Sequence, residues 1–151
     1  MRILVVSDSH GDAVKLKKAV EQQPSAEFMF FLGDGERDVD YSGVSVPAVR
    51  VRGNCDWGSE LPKYSVDKIN GKTLYSTHGY IENVKYGNSM LRSVAKDFDA
   101  HIVLYGHTHS PVTEYVDGVW YINPGSIRDG NYAVVDITSS GIMPILMKIR
   151  Y

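Results

Sequence analysis

Ile3-Leu4-Val5-Val6-Ser7-Asp8-Ser9-His10-Gly11-Asp12 decides how the chain is read. Four consecutive apolar residues, three of them β-branched, mark a strand buried on both faces. The run stops abruptly at a carboxylate and an imidazole. Gly11-Asp12 then offers a helix cap, and Val14, Leu16, Ala19 and Val20 follow helical spacing up to Pro24. Residues 28–32 form a second buried strand and residues 48–51 a third. The order strand, helix, strand predicts a parallel sheet with helical cover.

Further along, the signals turn antiparallel. Asn70-Gly71 separates strand-like residues 64–69 and 72–76 and predicts a type I′ hairpin. Asp117-Gly118 does the same between 112–116 and 119–122, and Ser139-Ser140-Gly141 between 133–137 and 142–149. Pro144, inside the last of these strands, points to an edge or a bulge. Residues 86–98 read as a helix with Met90, Leu91, Val94 and Phe98 on one side, and residues 102–105 as another buried strand. The fold class that follows is α/β: two mixed β-sheets packed as a sandwich and flanked by helices. The 151 residues hold no internal repeat and no Pro/Gly/Ser-rich linker, so a single domain over 1–151 is expected.

Composition narrows the function. Hydrophobic content of 43% is that of a globular protein rather than a disordered one. Sixteen Lys and Arg against eighteen Asp and Glu leave a formal charge of -2. No polymeric nucleic acid and no anionic membrane surface is expected as a partner, because the attraction that drives such binding is missing. The single cysteine, Cys55, excludes an internal disulfide and points to a reducing, cytoplasmic location. The opening apolar run is too short for a signal-peptide core, and the longest clearly apolar run, residues 28–32, cannot span a bilayer. A homo-oligomer is compatible with all of this.

The chemistry sits where the strands end. The first strand runs into Asp8-Ser9-His10, the second into Gly33-Asp34, and the third into Gly53-Asn54-Cys55-Asp56. The strand after Asn70-Gly71 runs into His78-Gly79, and residues 102–105 run into Gly106-His107-Thr108-His109. Ligands of open α/β sheets bind beyond the carboxyl ends of the strands, so Asp8, His10, Asp34, Asn54, His78, His107 and His109 can share one rim. Four of the five histidines fall on this pattern, and His101 alone lies off it. Imidazole with carboxylate, without a thiolate-rich set, suits manganese, iron, zinc, nickel or cobalt. Seven donors are too many for one tetrahedral ion but suit two ions sharing a carboxylate, the arrangement of many phosphatases and nucleases.

Each motif alone has a plainer reading. Asp8 to Asp12 can be a capped loop, Gly33-Asp34 and Asn54 turn residues, and His78 a structural histidine. Their joint occurrence at strand ends outweighs those readings. Other phosphate chemistries lack their residues: there is no Walker A loop, no dinucleotide glycine fingerprint and no Gly-x-Ser-x-Gly elbow. Pro111 stands where a histidine-triad hydrolase needs a third alternating histidine, and Leu61 where a Cys-phosphatase loop needs arginine. A calcium loop starting at Asp8 fails because its twelfth position is Ala19.

In order and spacing, Asp8-x-His10, Gly33-Asp34, Gly53-Asn54-x-Asp56, His78-Gly79 and Gly106-His107-x-His109 resemble the five motifs of the calcineurin-like metallophosphoesterases. Gly53-Asn54-Cys55-Asp56, the later Asn123-Pro124-Gly125-Ser126 and the short chain resemble the small prokaryotic phosphodiesterase branch. The resemblance implies a sandwich with a dinuclear centre. Asp8, His10 and His109 would hold one divalent ion, Asn54, His78 and His107 the other, and Asp34 would bridge them. Manganese is the first expectation. Hydroxide held by the metals would attack phosphorus, and the same seven residues form the expected catalytic set. The wider family has histidine after the Gly-Asn pair, where it orients phosphate or protonates the leaving group. Cys55 replaces it here, which leaves the leaving-group proton donor open and leaves Asp56 to hydrogen-bond within the site.

The expected function is hydrolysis of a small phosphodiester or nucleotide-like substrate, with phosphomonoesterase or pyrophosphohydrolase activity as the alternative within enzymes. The same family includes a eukaryotic trafficking scaffold, so a non-catalytic protein-binding role is the alternative outside them. Asn123 to Arg128 is either a turn between strands or a rim segment whose N–H groups or Arg128 touch substrate. Trp57, Tyr80 and Tyr86 either line a pocket or belong to the core.

Overall fold

β1 (Arg2–Val6) is buried at every position after Arg2 in the computed structural model, which describes residues 1–151. The reason is that both faces of its sheet are covered. Ile3 and Val5 point into a cluster with Phe30, Leu32, Leu74, Ile102, Leu104 and Ile122, which joins two sheets face to face. Leu4 and Val6 point the other way, onto Leu16 and Ala19 of α1 (Ala13–Gln22) and Val39 of α2 (Glu36–Ser42). Burying each such aliphatic side chain stabilises the fold by about 1.5–3 kcal/mol.

The first sheet has the order β10 (Gly141–Lys148), β9 (Asn131–Thr138), β1, β2 (Phe28–Phe31), β3 (Ala48–Arg50). The second runs β4 (Tyr64–Ile69), β5 (Lys72–Thr77), β6 (Ile102–Leu104), β8 (Val119–Asn123), β7 (Val112–Val116). β1, β2 and β3 are parallel, as are β5, β6 and β8, and the hairpin strands are antiparallel. Both sheets are therefore mixed, as expected. Leu91 and Ala95 of α3 (Ser89–Asp97) cover the outer face of the second sheet against Tyr75, Val103 and Tyr105. No helix is long and apolar enough to cross a membrane.

The turn chemistry acts as read. Asn70 and Gly71 both have positive φ, 49° and 77°, and Ile69 pairs with Lys72 across them. Asp117 and Gly118 repeat the geometry at 49° and 79°. Pro144 lies on β10, the edge strand of the first sheet, where a missing N–H is tolerated.

Two elements differ from expectation. The helix expected over 86–98 starts at Ser89, and a separate 3-10 turn occupies Val84–Tyr86. Gly87 separates them at φ 123°, which no helix accommodates. Its buried side is Leu91 and Ala95, whereas Met90 and Phe98 are exposed. The short helix α2 had no sequence signal at all. Its residues, Glu36-Arg37-Asp38-Val39-Asp40-Tyr41-Ser42, carry no apolar stripe.

Candidate metal centre

The loops that follow β1, β2, β3, β5 and β6 carry all seven residues picked from the sequence. The structure brings six of them, with the Cys55 thiol, into three groups: Asp8 with His10 and His109, Asp34 with His78 and His107, and, linking these two, His10 with Asp34 and Cys55. In the first, the Asp8 carboxylate lies 3.1 Å from His109 Nε2 and 3.4 Å from His10 Nε2, and the two imidazole nitrogens are 3.4 Å apart. In the second, the Asp34 carboxylate lies 3.2 Å from His78 Nε2, which is 3.1 Å from His107 Nδ1. Asp34 also reaches to 3.8 Å from His10, so it stands between the clusters. The side-chain oxygen of Asn54, the seventh residue, is buried without any hydrogen-bond partner. Buried polar atoms normally find one.

These atoms suit cations. His78 is fixed by its Nδ1, 2.7 Å from the Leu32 carbonyl oxygen, so Nε2 faces His107 and Asp34. Imidazole nitrogens that face one another, with carboxylates and an orphaned amide oxygen beside them, present more lone pairs than protons can satisfy. The donor set is one that borderline divalent metals take.

The backbone of the site is unusual. Asp8, His10, Asp34, His107 and His109 all sit at positive φ, between 42° and 70°. Each such non-glycine residue costs of order 1–3 kcal/mol, although Asp and His tolerate the region better than most. Cross-ties hold them there. Asp8 N–H donates to the Gly33 carbonyl at 2.9 Å and His10 N–H to the Asp34 carbonyl at 3.0 Å. His107 N–H donates to the Asp8 carboxylate at 3.2 Å, and the Ser7 hydroxyl to the same carboxylate at 2.5 Å. Gly53 packs so closely that a Cβ there would collide with the Asp34 carboxylate.

Asp56 is the main clamp. Its carboxylate accepts four backbone N–H groups, from Asp34 (2.9 Å), Gly35 (2.9 Å), Glu36 (3.1 Å) and Gly53 (2.7 Å). It thereby locks the Asp34 loop to the Asn54 loop and caps α2 from outside, since Gly35 offers no side-chain cap. The expected hydrogen bonding of Asp56 within the site is thus directed at the backbone. Asp38 plays a similar part for His10, accepting from the Ser9 hydroxyl at 2.5 Å and Gly11 N–H at 2.8 Å.

Burial disfavours charge on Asp34, but His78, the Cys55 N–H and His10 outweigh it and hold the carboxyl at about 2. Burial likewise opposes a proton on His78, yet Asp34 and Asp8 raise its pKa above the ordinary value. His107 is shifted down by burial and by His78 and Lys85, against the opposing pull of Asp8 and Asp34. The Asp34 and His78 shifts arise from one and the same ion pair. Asp34's part of that stability is present above its unfolded pKa of about 3.9 and is lost as pH falls toward its folded value. His78's part is full below about 6.5 and is lost as pH rises through its raised folded value. Denaturant unfolding of the chelator-treated protein is therefore expected to give highest stability between about pH 4 and 6.5. The alkaline fall should shrink in His78→Gln.

Other sequence readings fare unevenly. His101 is structural, its Nδ1 accepting from Thr73 N–H at 2.9 Å. Cys55 is exposed, and its N–H donates to Asp34 at 2.8 Å. Partial desolvation and the carboxylates of Asp34, Asp56 and Asp8 push its thiol up. Asn123 to Ser126 braces the site from behind. Asn123 donates to the Gly106 carbonyl at 3.1 Å and to the Thr108 hydroxyl at 2.9 Å, and Ser126 donates to the Asp8 carbonyl at 2.8 Å. Arg128 lines neither cavity beside the centre. It is exposed, and its carbonyl accepts from Lys15 at 2.6 Å. Trp57 and Tyr80 line a cavity beside the centre, whereas Tyr86 is 92% exposed and lines no cavity there. Asp38, Asn123 and Ser126 act through hydrogen bonds between distant loops, and only the Asn123-Pro124-Gly125-Ser126 turn left a trace in the sequence.

Comparison with known proteins agrees with this geometry. The family model described as the calcineurin-like phosphoesterase superfamily domain matches residues 1–140. The chain is 30% identical to the probable metallophosphoesterase YsnB of Bacillus subtilis over 85% of its length and 76% of YsnB. It is 25% identical to the phosphodiesterase YfcE of Escherichia coli over 97% of its length and 91% of YfcE. Among solved structures, a predicted phosphoesterase of Streptococcus pneumoniae superposes with TM-score 0.81 at 26% identity, covering 97% of this chain and 88% of that one. A Vps29 of Entamoeba histolytica superposes with TM-score 0.74 at 17% identity, over 99% of this chain and all of that one, a likeness of fold alone.

Proposed function

This chain belongs to the calcineurin-like phosphoesterase superfamily, and from that premise we propose that it hydrolyses small phosphodiesters at a dinuclear metal centre. Asp8, His10 and His109 would hold one ion and Asn54, His78 and His107 the other, with Asp34 shared between them. The observation that carries this reading is the set of facing donors, above all the buried Asn54 oxygen that no proton donor reaches. Two divalent cations, manganese first, with nickel, iron, zinc or cobalt as alternatives, would supply Lewis acidity and positive charge for a phosphoryl group in transfer.

The chain's own work is positional. Asp56 and Asp38 fix the loops, the Leu32 carbonyl fixes the His78 ring, and Ser126 fixes the backbone at Asp8. Hydrolysis forms one P–O bond to the oxygen of water and breaks one P–O ester bond. The departing oxygen takes a proton, giving an alcohol and a phosphomonoester. The natural partner is a small molecule in the cytoplasm, and no nucleic-acid polymer or membrane is part of this reading.

The test is hydrolysis of bis(p-nitrophenyl) phosphate, abolished by chelator and restored by manganese. Activity on phosphomonoesters or pyrophosphates but on no diester would move the assignment to those classes. No hydrolysis with any divalent metal would leave the scaffold role that the fold alone permits.

The leaving group gives a sharper expectation. Four histidines are committed to the centre and His101 is held elsewhere, so no histidine is free to donate the proton, and the Cys55 thiol occupies the position that holds histidine in the wider family. With its pKa raised, it is a poor acid. General acid catalysis is worth roughly 10²–10⁴-fold, or about 3–5 kcal/mol. Log kcat/KM is therefore expected to fall steeply with leaving-group pKa across a series of aryl phosphodiesters, and Cys55→His should flatten the line. A flat line for the unmodified protein would show that another group donates the proton.

A further inference from the structure

Two cavities flank the candidate centre, and Trp57 lines both. One, of about 330 Å³, runs from Asn54 and His78 outward to Arg52, Lys63, Trp57 and Tyr80. The other, of about 370 Å³, lies on the His10 and Asp34 side. Trp57 is 88% exposed and Tyr80 57%, and neither belongs to a core cluster. A tryptophan this exposed at the mouth of a site buries little of its surface in the fold and leaves a large aromatic face open.

Charge in the first cavity points the same way. Arg52 and Lys63 take part in none of the chain's ion pairs. Asp56, the only carboxylate lining that cavity, is already occupied by its four backbone N–H donors. Arg52 spends one nitrogen on the Ser59 carbonyl at 3.2 Å, which steadies the guanidinium and leaves its other donors free. Unpaired cations and an open aromatic face, beside a centre suited to a phosphoryl group, match a nucleotide: the base stacks and a phosphate is held by guanidinium and ammonium.

We propose that this cavity receives a nucleotide arm that carries its own terminal phosphate, so that the substrate class is a short 5′-phosphorylated dinucleotide. The proposal rests on the phosphodiesterase reading above and adds the arm that selects the substrate. The base of one nucleoside stacks on Trp57, its 5′-phosphate meets Arg52 and Lys63, and the internal diester lies at the centre. The oxygen of water joins phosphorus, the bond from phosphorus to the 3′ oxygen breaks, and that oxygen takes a proton. Two 5′-mononucleotides result.

The experiment has a binding arm and a kinetic arm. Titrating chelator-treated protein with the dinucleotide pApA should quench tryptophan fluorescence, and Trp57→Phe should remove the quenching while the half-buried Trp120 remains. In the manganese-loaded protein, kcat/KM for pApA should exceed that for ApA, which lacks the terminal phosphate, by about tenfold, the worth of one charge-assisted contact. That ratio should fall toward one in Arg52→Gln/Lys63→Gln. Trp57→Ala should lower the ratio of pApA to methyl p-nitrophenyl phosphate on the order of 10- to 100-fold, the range of one base stack, with Trp57→Phe restoring most of it. Equal rates for pApA and ApA, equal losses on all substrates, or quenching that survives Trp57→Phe would overturn the proposal. Methyl p-nitrophenyl phosphate hydrolysed without preference for pApA would leave the phosphodiesterase reading intact. If no diester is hydrolysed, that reading fails, and the fluorescence arm still decides whether the cavity holds the dinucleotide.

Discussion

Asp34→Asn is expected to cost on the order of 10³-fold in kcat/KM for an aryl phosphodiester, more than any other single ligand change. The side chain stands between the two clusters, 3.2 Å from His78 and 3.8 Å from His10, so an amide there weakens both metal sites together. It also removes a negative charge where two cations must lie close, and charge stabilisation by such a pair is worth several kcal/mol, at about 1.36 kcal/mol per decade of rate. Elemental analysis after manganese loading should give close to two equivalents for the unmodified protein and clearly fewer for the variant. Saturation at one equivalent in the unmodified protein, with His78→Ala still active, would sink the dinuclear centre.

Asp56→Ala is expected to lower stability by about 3–5 kcal/mol, although Asp56 is none of the expected ligands. Hydrogen bonds to a charged group are worth about 1.5–3 kcal/mol each, and four N–H groups lose their acceptor at once, with water reaching some of them. The loss should appear as a lower denaturation midpoint with an unchanged slope. Activity should fall as well, because the Asp34 and Asn54 loops are no longer tied together. Asp56→Asn keeps an acceptor oxygen but offers one where the carboxylate offers two, so its loss should be intermediate. A variant as stable as the unmodified protein would show that the clamp is dispensable.

Features governed by local rules could be read before any coordinates. β1 announced itself by a continuous apolar run, and the hairpins at Asn70-Gly71 and Asp117-Gly118 by residues that accept positive φ. The seven donors were legible because each follows a strand, and parallel strands deliver their carboxyl ends to one side. What could not be read depends on residues far apart in the chain. α2 begins where Asp56, twenty residues later, takes its first N–H groups. The start of α3 was misplaced because the apolar spacing continues through Gly87 while the backbone does not. The left-handed backbone at His107 and His109 explains how alternating histidines both reach the centre, since a regular strand would have turned one away.

The donors are also distributed between the two leaves of the sandwich. Asp8, His10, Asp34 and Asn54 come from the first sheet, and His78, His107 and His109 from the second. Asp8 and His109 are 101 residues apart in the chain. A cation shared by such residues would rivet one leaf to the other and close a loop spanning most of the polypeptide. In a chain with a single cysteine, it would be the only cross-link available, and one that chelation reverses. Resistance to unfolding, and with it survival against proteases, would then track the supply of free metal in the surrounding medium. Protein abundance would then fall together with activity when metal runs short.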